Sequence, residues 1–87
     1  MLADIAYQYM IDNNIDEFGT DNLNMFHEIY DLYKQSKTYK PLKNEHPLNK
    51  LRAVRNAIRK DKRFISQGWF GSCWGRITLY KVNRKEN

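Results

Sequence analysis

One cysteine, Cys73, stands among the 87 residues, and a lone thiol closes no internal disulfide. A disulfide framework is therefore excluded, and a reducing cytoplasm is the expected setting. No apolar run approaches the roughly 18 residues that a bilayer span requires, so no membrane association is expected. A basic start followed by an apolar block is also missing, because Asp4 and Gln8 interrupt the N-terminal segment, and no signal peptide is expected. Histidines are scarce. His27 and His46 lie far from each other and from Cys73, which is not a zinc-ligand spacing, so no metal is expected. Gly68, Gly71 and Gly75 fit neither a dinucleotide fingerprint nor a phosphate loop. The paired carboxylates Asp16 and Glu17 are adjacent and point apart. The chain is expected to need no cofactor and to be no enzyme.

The most informative absence is one of sign. Residues 1–33 contain no Lys or Arg, yet carry seven acids: Asp4, Asp12, Asp16, Glu17, Asp21, Glu28 and Asp31. Residues 34–87 hold all fifteen basic residues against Glu45, Asp61 and Glu86, leaving about −7 and +12 on the two parts. A polyanion is the natural partner of such a basic segment, and nucleic acid is its commonest form. Hydrophobic residues make up 41% of the chain, which suits one folded domain with a modest core rather than disorder.

Periodicity divides that domain, expected over 1–83 with a charged tail at 84–87. Leu2, Ile5, Ala6, Tyr9 and Met10 share one face of a helix over 2–13, which Asn13-Asn14 ends. Ile15 to Gly19 reads as a connection with one brief strand. A second helix is expected from Asp21 to about Ser36, with Thr20 as its N-cap and Leu23, Phe26, Ile29, Tyr30 and Tyr33 as its buried stripe. A loop over 37–47, with Pro41 and Pro47, precedes a third helix from Pro47 to about Lys60. Proline suits a first helical position, where its missing N–H costs nothing. Leu48, Leu51, Val54 and Ile58 give this helix an inward face. Phe64-Ile65-Ser66 and Arg76 to Val82 are β-branched and aromatic, and the segment Gln67–Gly75 joins them, so a β-hairpin is expected. Its three glycines are expected at positive-φ turn or bulge positions.

The third helix carries the chemistry. Asn49, Arg52, Asn56 and Arg59 recur at i, i+3, i+7 and i+10 on the face away from its apolar stripe, and Lys50, Arg55 and Lys60 flank them. Lys62 and Arg63 follow. Arg can bond guanine O6 and N7 in a fork, Asn can bond adenine N6 and N7, and Lys supplies a point charge for phosphate. Such a row fits a recognition helix in a major groove. In the hairpin, Trp69, Phe70 and Ser72 are candidate contacts, Arg76 can add a phosphate contact, and Trp74 is expected to close the core.

The order helix, short strand, helix, helix, hairpin is that of a winged helix, an α+β fold with three helices and a C-terminal hairpin wing. The run Pro47-Leu48-Asn49-Lys50-Leu51-Arg52, with Ile58-Arg59-Lys60-Asp61-Lys62-Arg63-Phe64-Ile65, Gly68, Trp74-Gly75 and Leu79, resembles the C-terminal half of winged helix-turn-helix domains. It is most similar to the HARE-HTH group and to related winged domains attached to restriction enzymes and to an RNA polymerase subunit. That resemblance covers about residues 47–80. It implies a winged helix engaged in DNA or transcription-associated work, with Asn49, Arg52, Arg55, Asn56 and Arg59 at the exposed positions. The long second helix, the long 37–47 loop and the extra wing aromatics depart from the pattern.

Two functions of different class follow. The first is a duplex-DNA-binding winged helix, a small transcription-associated regulator at the nucleoid. A single short module reads few base pairs, so a homodimer or a partner would supply specificity. The second is a phage- or mobile-element-encoded inhibitor or adaptor of a host nucleic-acid machine. It would dock a basic or host protein through the acidic helices or the aromatic hairpin. A composition rich in Asn, Lys, Ile and Tyr, typical of an AT-rich genome, favours it.

Overall fold

The protein is described by a computed structural model over residues 1–72 and 75–83, so Cys73, Trp74 and the charged tail lie outside the described residues. Three helices form: α1 (Leu2–Asp12), α2 (Leu23–Lys34) and α3 (Pro47–Lys60). Three strands accompany them: β1 (Glu17–Gly19), β2 (Phe64–Ser72) and β3 (Gly75–Val82). The strands make one antiparallel sheet in the order β1-β3-β2. The architecture is α+β, and it is compatible with a winged-helix-like layout.

Phe18 joins the sheet to the helices. Its ring stacks on Tyr80 with centroids 5.6 Å apart, and meets Phe26 and Phe64 edge-on at 6.4 and 5.9 Å. One short strand thus ties the sheet to α2 and to the start of the hairpin. Ala6 and Met10 from α1, Met25, Ile29 and Tyr30 from α2, and Val54 and Ile58 from α3 complete the buried cluster. Val54 and Ile58 lie one turn apart and hold α3 with its opposite face turned to solvent.

The start of α2 differs from the expectation. Asn22, not Thr20, is its N-cap, with Oδ1 accepting from the Met25 N–H at 3.3 Å. Asn caps at least as well as Thr. The Thr20 hydroxyl instead accepts from the Thr78 N–H at 3.0 Å, while the Thr20 N–H donates to the Thr78 carbonyl at 3.0 Å. Thr20 thereby extends the β1–β3 ladder, and α2 begins two residues late. Leu23 consequently sits at the helix end and is 49% exposed rather than buried.

The α3 boundaries match the expected ones, and His46 caps the helix, its Nδ1 accepting from the Leu48 N–H at 3.2 Å. The loop before it is pinned by Glu45, whose Oε2 accepts from the Tyr30 hydroxyl, the Tyr39 hydroxyl and the Leu42 N–H at 2.9–3.1 Å. These bonds, the Leu42 N–H foremost, hold the Glu45 carboxyl below the usual glutamate range.

The hairpin strands run further than expected, through most of Gln67–Gly75. Gly68 and Gly75 have positive φ, at 117° and 109°, but Gly71 does not and is an ordinary strand residue. The Ser66↔Tyr80 and Gly68↔Leu79 pairs leave Gln67 unpaired, which makes a bulge at Gly68.

Candidate nucleic-acid interface

The outward face of α3 presents Arg52, Arg55, Asn56, Arg59 and Lys60, all exposed, with Lys62 just beyond its end. Arg59 donates to the Asn56 Oδ1 at 3.5 Å, which links those two side chains. Among the described residues, no ion pair involves Arg52, Arg55, Arg59, Lys60, Lys62 or Arg76. The row of cations is therefore not neutralised from within the fold.

Three of the expected contact residues are otherwise engaged. Asn49 is half-buried and its side-chain amide donates to the Asn44 carbonyl at 3.0 Å. Lys50 is half-buried with its ammonium 5.8 Å from the Tyr30 ring centroid. Arg63 is the clearest departure. Its guanidinium bonds Asp61 through Nε at 2.9 Å and Nη2 at 2.7 Å, bonds Asp4 at 2.7 Å, and lies 4.5 Å over the Tyr7 ring. The paired guanidinium holds the Asp61 carboxyl below the usual aspartate range. Arg63 fastens α1 to the turn between α3 and β2, so the site loses one expected phosphate contact.

Beside the cationic row runs a cleft of about 690 Å³ between α2, α3 and β3. Leu23, Phe26, Leu48, Leu51 and Ile77 line it as apolar surface, with Arg52, Arg55 and Arg76 around them. Leu48 was expected inward, but it is 55% exposed. Four and seven residues before Arg52 and Arg55, it shares their side of the helix. That spacing was readable in the sequence. Asp21 is the one carboxylate in the cleft; the other acids of the first 33 residues also lie at exposed positions.

In the hairpin Trp69 and Phe70 are 60% and 47% exposed. They lie on opposite sheet faces because adjacent strand residues alternate. Trp69 pairs with Thr78, and so shares a face with Arg76, Tyr80 and Val82. Phe70 pairs with Ile77, which is buried and lines the cleft, and shares that face with Leu79 and Ile65, both exposed. The Gly68 bulge decides this assignment: without the extra residue, the two rings would exchange faces. Ser72 pairs with Gly75 at the end of the ladder. Arg76 lies 4.1 Å over the Trp69 ring, so the indole adjoins the cleft through a residue that lines it.

Chemically, the surface offers charge for phosphates, forked donors for base edges, and apolar groups suited to a thymine methyl. Among the described residues no three His, Cys, Asp or Glu side chains converge as metal ligands, and no helix is long and apolar enough to cross a membrane. No family model, no curated protein and no solved structure matches the chain.

Proposed function

We propose that the protein is a winged helix that binds duplex nucleic acid, DNA foremost, with α3 in the major groove and the β2–β3 hairpin as the wing. The un-neutralised row Arg52, Arg55, Arg59, Lys60 and Lys62 on the outward face of α3 carries this reading. The sheet order and the helix order support it, and so does the concentration of acids in the first 33 residues, which gives the molecule an orientation in a polyanion's field. Arg52, Arg55, Asn56 and Arg59 are the residues to meet base edges and phosphates, and Lys60, Lys62 and Arg76 to meet the backbone. The biological role is that of a small transcription-associated regulator, in which a second copy or a partner extends the site read. No catalytic step belongs to this reading.

The test is fluorescence anisotropy of random duplex DNA titrated with the protein at two salt concentrations. About five or six phosphate contacts predict an affinity loss on the order of a thousandfold between roughly 50 and 200 mM salt. Replacing Arg52 and Arg59 together by Ala is expected to reduce the slope of log affinity against log salt by about two. Absence of binding at the lower salt would overturn the reading.

One observation favours a second reading, a protein-binding adaptor or inhibitor. Ile65, Phe70 and Leu79 are exposed together on one sheet face. Under that reading Phe70→Ala abolishes capture of the partner, whereas Arg52→Ala with Arg59→Ala spares it.

A further inference from the structure

Trp69 combines three properties. It is 60% exposed, it lies on the sheet face shared with Arg76, and the Arg76 guanidinium covers one side of its ring at 4.1 Å. Among the described residues no other ring stacks on it. Arg76 also lines the cleft beside Arg52 and Arg55. The aromatic plane is therefore continuous with the cations of α3.

We propose that Trp69 stacks on an unpaired nucleotide next to a duplex seated on α3, so that the preferred substrate is a duplex with a single-stranded tail. This rests on the duplex-binding reading of α3. Inside a duplex every base has both faces covered by its neighbours and shows a protein only its edges. An indole plane gains stacking energy only from a base with an open face, which an unpaired or terminal nucleotide supplies. Arg76 fixes the orientation of the ring before binding, which reduces the ordering needed on association. It also holds a positive charge where the phosphate of the stacked nucleotide lies, next to the charges that track the duplex backbone. The Gly68 bulge is what puts Trp69, rather than Phe70, on the sheet face of Arg76.

The experiment compares three labelled DNA ligands by anisotropy: a blunt duplex, the same duplex with a short unpaired tail at its 3′ end, and one with the tail at its 5′ end. At least one tailed duplex is expected to bind on the order of tenfold tighter than the blunt one. Stacking is less sensitive to salt than phosphate contacts, so between roughly 50 and 200 mM salt this ratio should fall by only about two- to threefold, the share of the one added phosphate contact at Arg76, while both affinities fall far more. Trp69→Ala is expected to bring the ratio close to one, and Trp69→Phe to retain most of it, because a smaller ring still stacks. Equal affinity for blunt and tailed duplexes, or a ratio unchanged in Trp69→Ala, would overturn the proposal while leaving duplex binding intact. Failure of every ligand to bind would overturn the duplex reading beneath it.

Discussion

Two arginines, Arg59 and Arg63, stand four positions apart and have opposite employment. Arg59 is exposed on the outward face of α3, and its guanidinium donates to Asn56. Arg63 is half-buried and holds Asp61 and Asp4 together over Tyr7. Its two carboxylates draw its own proton affinity upward, and it stays charged at any ordinary pH. Arg63→Ala leaves the half-buried Asp61 with the residue-63 N–H but without its cation. After allowance for solvent screening, the loss is expected to be about 1–2 kcal/mol, or roughly 5–10 °C in the melting midpoint of a domain this size. The same variant should leave the salt slope of DNA binding where it was, while Arg59→Ala should lower it by about one. A reduced slope in Arg63→Ala would return that residue to the phosphate-binding set. Asp61, two positions before Arg63, is a local cue to its pairing, but the other partner, Asp4, lies 59 positions away.

At the scale of elements, the hairpin turns on a single backbone position. Gly68 has φ of 117°, a conformation that side-chain-bearing residues avoid, while open space surrounds the place where a Cβ would stand. Strain, not collision, is therefore what Gly68→Ala introduces, at about 1–3 kcal/mol. Gly71 meets equally open space without the unusual φ, so Gly71→Ala is expected to be neutral or slightly stabilising. Urea midpoints of the two variants check the contrast, and equal losses would mean that the bulge is not where the strain lies. The helices were easier to read. Pro47 and the Val54–Ile58 pair defined α3 from end to end, since a first-turn proline and a four-residue apolar spacing are local signals. The start of α2 was harder, because Thr20 and Asn22 are both good caps. The choice between them depends on the Thr78 N–H, which lies across the sheet.

Acid stability belongs to the whole molecule. Glu45 joins the long loop to α2, and Asp61 joins the α3–β2 turn through Arg63 to α1. Both carboxyls are held below their ordinary values of 4.5 and 3.8. A group whose affinity for protons is lower in the folded state stabilises fully above its unfolded value, and that share disappears as pH falls through the folded value. Stability is therefore expected to be level near neutrality and to decline below about pH 4.5. Urea midpoints measured against pH should show a shallower decline in Glu45→Gln, which starts lower because a neutral amide accepts more weakly than a carboxylate. A decline identical to that of the parent would remove Glu45 from the account.

The sequence by itself determined the element order, the reach of α3, the buried identity of Val54 and Ile58, and the segregation of acidic from basic residues. Those properties follow from local periodicity, capping chemistry and counting, which need no knowledge of distant neighbours. Only the tertiary structure decided which cations remain outward, since Asn49, Lys50 and Arg63 are engaged by Asn44, Tyr30, Asp61 and Asp4. It also decided which wing aromatic meets Arg76. A strand repeats every two residues, so one extra residue at the bulge reverses every face beyond it, and the sheet register that leaves Gln67 unpaired exists only once β2 has met β3.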